Sequence, residues 1–206
     1  NLVDGGGGAD VLNFSARTDG VDVSLAAGTA KDLDTSASIV ADLRHFRMVI
    51  GTAMADAITA SDAAAALLLG GAGNDTLTGG AKKDILIGGS GADTLNGMGQ
   101  QDILYGGLIG YYDEANGELL DQRALDMILQ SWNSNAFGSD PDDVAQYSAK
   151  VGWMITRPWV AGADLEDDLE ADELWGGANL DLFLLGEGDT VLDHTAGEIA
   201  VNPDDL

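Results

Sequence analysis

The sequence of 206 residues lacks several features that proteins use to cross-link themselves or to bind partners. It contains no cysteine, which excludes disulfides and thiolate metal sites. Only 9 residues are basic and 35 are acidic, so the net charge is −26. Such a charge repels phosphate and argues against binding to nucleic acid or to an anionic membrane. With only 3 prolines, no Pro-rich linker divides the chain.

Long apolar runs are also missing. The longest uncharged apolar stretch, Ala63 to Asn74, is far shorter than the roughly 18 residues that a membrane span requires. No basic and then apolar leader opens the chain, which begins at Asn1. We therefore expect a soluble chain without a membrane span, or a soluble piece of a longer protein.

Glycine and aspartate are abundant instead. Glycine accounts for 29 of the 206 residues, about twice its usual share of roughly 7%. The acidic residues divide into 28 Asp and only 7 Glu, and the short Asp side chain suits turns and metal-binding loops. A loop-rich acidic chain without disulfides needs another cross-link, and calcium is the natural candidate because it prefers oxygen ligands.

Four nonapeptides follow one another without a gap from Gly70 to Tyr105. They read GGAGNDTLT, GGAKKDILI, GGSGADTLN and GMGQQDILY. The sixth position is always aspartate and the eighth is always leucine, at Asp75, Asp84, Asp93 and Asp102 and at Leu77, Leu86, Leu95 and Leu104. Self-similarity at a fixed period predicts a stack of similar coils.

The same frame returns, with departures, on both sides of these four units. Its aspartates there are Asp10 in GGGGADVLN, Asp56 in GTAMADAIT, Asp172 in EADELW and Asp181 in GGANLDLFL. Lys82, Gln100 and Asn179 stand where the complete motif has its fourth-position glycine. A side chain disfavours a left-handed backbone there, although Asn tolerates it well.

The pattern resembles the GGxGxDxUx nonapeptide of the RTX family, the haemolysin-type calcium-binding repeats of large secreted or surface bacterial proteins. The resemblance implies a mainly β fold, a parallel β-roll (a right-handed β-helix of these repeats), with several bound Ca²⁺ ions. It also implies type I secretion, an extracellular or cell-surface location, and folding upon calcium binding after release. A broader likeness, from Leu86 to Asp193, is to a module of very large bacterial surface or secreted proteins and implies no known activity.

The repeat has a physical reason to bind calcium. Two nonapeptides make one coil of 18 residues, which places Asp75 beside Asp93 and Asp84 beside Asp102. Neighbouring strands lie about 4.8 Å apart, so these carboxylates repel one another by roughly 1 to 3 kcal/mol per pair. A calcium ion held by the carboxylates and by turn carbonyls relieves that repulsion.

The predicted metal-binding residues are the aspartates of the frame and the turn glycines. They are Asp75, Asp84, Asp93 and Asp102, then Gly71, Gly73, Gly80, Gly89 and Gly91, and in the flanking units Asp10, Asp56, Asp172 and Asp181. If the coil resumes after the interruption, Asp172 should lie next to Asp93, and Asp181 next to Asp102. The alternative is a set of ordinary polar turns, but such turns do not require one frame through four successive units.

The frame predicts four parts: a β-rich N-terminal flank or cap at 1–50, the β-roll at 51–107, a helical insertion at 108–165, and returning repeats with a C-terminal cap at 166–206. Within the flank, Val21 to Leu25 alternates like a half-buried strand. Within the insertion, apolar residues at three- and four-residue spacing predict a helix from Glu118 to Trp132. Asp140 and Pro141 predict the start of a second helix that ends at Gly152.

The four tryptophans lie in or beside the insertion, at Trp132, Trp153, Trp159 and Trp175. As exposed rings they would stack on sugars and make the chain an adhesin or carbohydrate-binding module whose partner is a surface glycan or another protein. As buried rings they fill the interface between helices and roll, and the helical spacing of Trp132 favours this interpretation.

Catalysis has little support in the sequence. His45 and His194 lie in neither a zinc motif nor a nucleophile elbow, and we expect no enzyme. The leading interpretation is a calcium-binding structural module.

Overall fold

The computed structural model describes residues 2–7, 10–40, 42–110, 112–113, 118–119, 122–134 and 165–202. The first strands are β1 (Leu2–Asp4), β2 (Val11–Asn13), β3 (Val21–Ser24), β4 (Thr29–Asp32), β5 (Ser38–Val40), β6 (Asp42–Arg44), β7 (Met48–Ile50) and β8 (Ala57–Thr59). The repeats form β9 (Leu67–Ala72), β10 (Thr76–Thr78), β11 (Ile85–Ser90), β12 (Thr94–Asn96) and β13 (Ile103–Tyr105). There follow β14 (Leu108–Ile109), β15 (Tyr112–Asp113), β16 (Glu118–Leu119), α1 (Gln122–Asn133), β17 (Leu165–Glu166), β18 (Glu173–Trp175), β19 (Leu182–Leu184), β20 (Thr190–Val191) and β21 (Ile199–Val201).

Two sheets form a parallel β-roll, as the sequence predicts. The seven-stranded sheet has the order β2-β7-β9-β11-β13-β19-β21, and the eight-stranded sheet has the order β20-β18-β12-β10-β8-β3-β4-β5. Pairing is parallel throughout the seven-stranded sheet and from β20 to β3 in the other, whereas β4 and β5 are antiparallel additions. Because the chain alternates between the sheets, two strands and two turns make one coil.

The register of the coils follows the 18-residue period. Leu77 lies opposite Leu95 in the eight-stranded sheet, and Leu86 lies opposite Leu104 in the seven-stranded sheet. After the interruption, β18 pairs with β12 and β19 pairs with β13. The returning repeats therefore stack directly on the coil that precedes the insertion.

The core of the roll consists of the central residues of the short strands, which point between the two sheets. The eight-stranded sheet contributes Val23, Ile58, Leu77, Leu95 and Leu174, and the seven-stranded sheet contributes Val49, Leu68, Leu86, Leu104 and Phe183. All ten are fully buried. One buried side chain per strand is enough to form a core only because the coils stack.

Leu86 offers a test of this stacked core. It is fully buried between Leu68 and Leu104 of the adjacent strands, so Leu86→Ala is expected to lower the free energy of unfolding by about 2 to 5 kcal/mol. Urea denaturation in calcium measures the change. Met127→Ala is the control, because Met127 on α1 is 50% exposed and its loss should change stability by less than about 0.5 kcal/mol. Equal effects of the two substitutions would contradict the packing.

The insertion leaves and rejoins the roll at one place, because β14 pairs antiparallel with β17. The helix is shorter than the sequence predicts: it begins at Gln122 instead of Glu118. The reason is that Glu118 and Leu119 form β16, which pairs antiparallel with β15. The second predicted helix, at 140–152, lies outside the described residues.

Helix α1 packs against the outer face of the seven-stranded sheet. Its buried residues Leu125, Ile128, Leu129 and Trp132 join one apolar cluster with the outward-facing side chains of β9, β11, β13 and β19. A small apolar cavity of about 30 Å³ remains between them. Trp132 is fully buried, so this tryptophan is a core residue, while Trp175 is half-buried. Trp153 and Trp159 lie outside the described residues.

The first fifty residues contribute strands to both sheets of the roll. The predicted strand at Val21 is β3, which pairs with β8, and β2 pairs with β7. The division of the chain into four parts remains a prediction. None of the helices in the described ranges combines the length and the apolar character needed to cross a membrane.

Candidate metal centre

The turns of the roll lie along two edges. We call the first edge the turns that lead from the seven-stranded sheet into the eight-stranded sheet, and the second edge the turns that lead back. Most turns of the roll end in an acidic residue, and in successive coils these residues are neighbours. On the first edge they form a row, the first ladder, of Asp56, Asp75, Asp93, Asp172 and Asp189.

The second edge has its own row, the second ladder, of Asp84, Asp102, Asp181 and Glu198. The structure therefore places Asp172 beside Asp93 and Asp181 beside Asp102, as the returning frame predicts. The seven aspartates of the two ladders that the sequence identifies are at most 2% exposed. A buried charge of this kind needs a compensating partner.

Backbone N–H groups supply part of that compensation. The backbone N–H of Asp75 donates to Asp93 Oδ1 at 2.7 Å, and the N–H of Asp84 donates to Asp102 Oδ1 at 2.7 Å. The same bond crosses the interruption, from Asp102 N–H to Asp181 Oδ1 at 2.6 Å. Each carboxylate thus binds the coil before it, which offsets part of the repulsion that the sequence predicts between stacked aspartates.

The hydrogen bonds do not fully offset burial. Burial raises the pKa of Asp84 to about 6, against the lowering effect of the N–H groups of Gly80 and Ala66. Burial likewise raises the pKa of Asp172 to about 7, and the nearby charge of Asp189 raises it further. In both groups the environment disfavours the charged form.

The same effect is greater at Asp181 than at Asp84 or Asp172. Burial raises its pKa to about 8, and the negative charges of Glu198 and Asp193 add to the rise. Burial also raises the pKa of Asp56 and of Asp189. The ladders therefore concentrate carboxylates that a bound cation would help to ionise.

The first glycine of the turn lies close to oxygen atoms of two successive coils. A Cβ placed on Gly88 would lie 2.1 Å from Asp93 Oδ2 and 2.6 Å from the carbonyl oxygen of Gly106. A Cβ on Gly70 would meet Asp75 Oδ2 and the carbonyl oxygen of Gly88 at the same two distances. Only glycine leaves room for these oxygens to approach each other.

This donor set fits calcium. Carboxylate and carbonyl oxygens are the ligands that Ca²⁺ prefers, and a carboxylate that accepts an N–H retains lone pairs for a metal. Asp172 Oδ2 is buried and accepts no hydrogen bond within the described part of the chain. Across the described residues, no three His, Asp or Glu side chains converge on one point as a metal centre. A calcium ion held here would draw on backbone carbonyls as well as on these carboxylates.

The predicted turn glycines occupy two different settings. Gly71 and Gly89 lie beside each other on the first edge, and Gly73 and Gly91 follow them with φ of 117° and 122°. Gly80 lies on the second edge, where its N–H donates to Asp84 Oδ2 at 2.6 Å. The structure thus brings four of the five predicted glycines to the first edge. Their role as ligand carriers remains a prediction.

Asp10 is the predicted ligand that the structure separates from the others. It lies on the second edge, but Arg47 and Ala66 occupy the corresponding positions in the next two coils, before Asp84. Asp189 and Glu198 extend the two ladders but were not predicted from the sequence. Their turns read LGEGD and DHTAGE, so the final acid of each turn is the signal that could have found them.

The two histidines contact residues that lie outside both ladders. His45 Nδ1 lies 2.6 Å from Asp4 Oδ1, and both side chains are exposed. The ring of His194 is tilted against the ring of Phe183, with centroids 6.3 Å apart. Neither arrangement joins a ladder.

Sequence comparison agrees with this geometry. A profile of the family described as HemolysinCabind, the RTX calcium-binding nonapeptide repeat, matches four copies, at residues 1–16, 67–81 and 78–108. No curated protein matches the chain. The matched copies at 67–108 contain the coils that hold Asp75, Asp84, Asp93 and Asp102. These segments match the RTX calcium-binding nonapeptide repeat.

Proposed function

We propose that the chain is a calcium-dependent structural module of a secreted or cell-surface bacterial protein. Calcium enters between the coils, neutralises buried carboxylates there and so couples metal binding to folding. The observation that carries the proposal is the stacking of buried aspartates in one register across the insertion, with carbonyl oxygens of the next coil close to the same turn glycines. Buried charges arranged in this way stabilise the chain only when a cation offsets them.

The low calcium concentration inside cells supports a location of the module outside the cell. Calcium modules that work outside cells bind at roughly 10⁻⁴ to 10⁻³ M, so such a chain stays unfolded at low intracellular calcium and folds after release. RTX repeats occur in secreted bacterial proteins, and type I export fits a chain that crosses the membrane unfolded. The module then serves as a stiff element held together by metal.

Adhesion through the tryptophans has less support. Trp132 is fully buried against the roll and donates its indole N–H to the backbone, so it presents no ring to a sugar. Calcium-dependent stacking needs no glycan, no protein partner and no catalytic group. We therefore propose a structural function and no enzymatic one.

A calcium titration tests the proposal. The purified chain, stripped of metal, is expected to gain β-structure in far-UV circular dichroism as calcium rises into the millimolar range, and to melt at a higher temperature because ligand binds only the folded state. Magnesium is the control, since it demands a small regular octahedral shell and should produce little change. Unchanged spectra and melting temperatures with and without calcium would refute the proposed function.

A further inference from the structure

The two edges of the roll differ in charge. The first-edge turns at 51–56, 70–75, 88–93, 167–172 and 185–189 carry nine acidic residues and no Lys, Arg or His. The second-edge turns at 60–66, 79–84, 97–102, 176–181 and 193–198 carry six acidic residues, and Lys82 and Lys83 stand beside them. A divalent cation is therefore attracted more strongly to the first edge.

The backbone of the turns differs as well. At the fourth position, Gly73 and Gly91 on the first edge have φ of 117° and 122°, values that essentially only glycine adopts. On the second edge, Gln100 and Asn179 have φ of 76° and 84° at this position, and Lys82 has no positive φ. The backbone conformation at the fourth position therefore differs between the complete glycine turns of the first edge and these turns of the second edge.

Two side chains of helix α1 donate hydrogen bonds to backbone carbonyls of the second edge. Trp132 Nε1 donates to the carbonyl oxygen of Gln101 at 2.7 Å, and Asn133 Nδ2 donates to that of Lys83 at 2.9 Å. Gln101 and Lys83 are the fifth residues of two successive second-edge turns, immediately before Asp102 and Asp84. The buried indole of Trp132 also covers this part of the edge.

We infer that calcium binds along the first edge of the roll, and that α1 of the insertion closes the second edge in place of metal. The inference rests on the proposed function, because it assigns the metal of that same module. Side-chain N–H groups of α1 satisfy turn carbonyls of the second edge, whereas glycine turns present carbonyls and acids to calcium on the first edge. The insertion thereby gives the roll a cross-link that does not depend on calcium.

Two matched substitutions test the inference. Asp75 on the first edge and Asp84 on the second are at most 1% exposed, and each accepts a backbone N–H from the preceding coil, at 2.8 and 2.7 Å. Isothermal titration with calcium counts the ions bound by the full chain and by each variant. Asp75→Asn is expected to lose at least one equivalent, and Asp84→Asn is expected to keep the full number. A loss in Asp84→Asn as large as that in Asp75→Asn would overturn the inference.

A second variant keeps the test decisive if Asp75→Asn fails to fold. The double substitution Trp132→Phe with Asn133→Ala removes both donors from the second edge. We expect the melting temperature of the calcium-loaded chain to fall, while the number of ions stays unchanged; a lower number would overturn the inference. Absence of calcium binding in the unaltered chain would instead refute the proposed function, a result distinct from equal losses in the two aspartate variants.

Discussion

Gly88→Ala is expected to disrupt the first edge of the roll and to lower the free energy of unfolding by about 3 kcal/mol or more. The added Cβ would lie 2.1 Å from Asp93 Oδ2 and 2.6 Å from the carbonyl oxygen of Gly106. One of these atoms belongs to the backbone of the next coil, so it moves only if the coils separate. Overpacking of a rigid site costs roughly 1 to 3 kcal/mol, and more where relaxation is blocked. Displacement of Asp93, one of the proposed calcium ligands, would add to this cost.

Gly99→Ala is the matched control within the repeats. Gly99 also lies in a repeat turn, but a Cβ there would meet nothing closer than 3.8 Å, and its φ is not positive. Alanine at such a site stabilises by about 0.4 to 1 kcal/mol, because it restricts the unfolded chain. Urea denaturation in the presence of calcium compares the two variants. Similar stabilities of Gly88→Ala and Gly99→Ala would show that the tight approach at Gly88 does not hold the coils.

The stacking of the repeats could be predicted from the sequence because the period fixes it. Eighteen residues separate Asp75 from Asp93, and the structure pairs the following strands in that register. The register of Asp172 and Asp181 was predictable in spite of the insertion, because the frame itself returns. The coils can keep this register because the insertion leaves and rejoins the roll at one place, where β14 pairs with β17.

The sequences of the strands also indicate which sheet α1 covers. The eight-stranded sheet has strands such as TLT and TLN, in which polar residues flank one apolar residue. The strand segments ILI and ILY of the seven-stranded sheet are apolar throughout, and their flanking side chains join the cluster that contains α1. A strand that is apolar at every position is typical of a sheet covered on both faces.

Other features depended on contacts that no local pattern shows. The indole N–H of Trp132 reaches the carbonyl of Gln101, 31 residues earlier; helical spacing predicts that Trp132 is buried but not what it binds. The predicted start of the helix was wrong because Glu118 and Leu119 form a strand that pairs with β15. The hydrogen bonds between ladder carboxylates and the preceding coil arise only once the coils are stacked.

The stability of the metal-free chain is expected to fall as pH rises from about 5 to about 8. The pKa values of Asp84, Asp172 and Asp181 are raised from 3.8 to about 6, 7 and 8, chiefly by burial. Between 3.8 and these values the folded chain holds protons that the unfolded chain has released, so stability decreases with rising pH. Each pKa unit corresponds to about 1.4 kcal/mol, and the three groups together should change stability by several kcal/mol.

Calcium should reverse part of this dependence. On the first edge, metal binds ionised carboxylates such as Asp172 and releases their protons, so the rise in melting temperature on adding calcium should be large near neutral pH and shrink on acidification. Melting curves in metal-stripped and calcium-containing buffers across this range measure both effects. Asp181→Asn is the informative variant, because Asp181 has the highest of the three pKa values. Removing its carboxyl should flatten the pH dependence of the metal-free chain, whereas a melting temperature that increases with pH in metal-stripped buffer would contradict a cost of ionising the buried ladders.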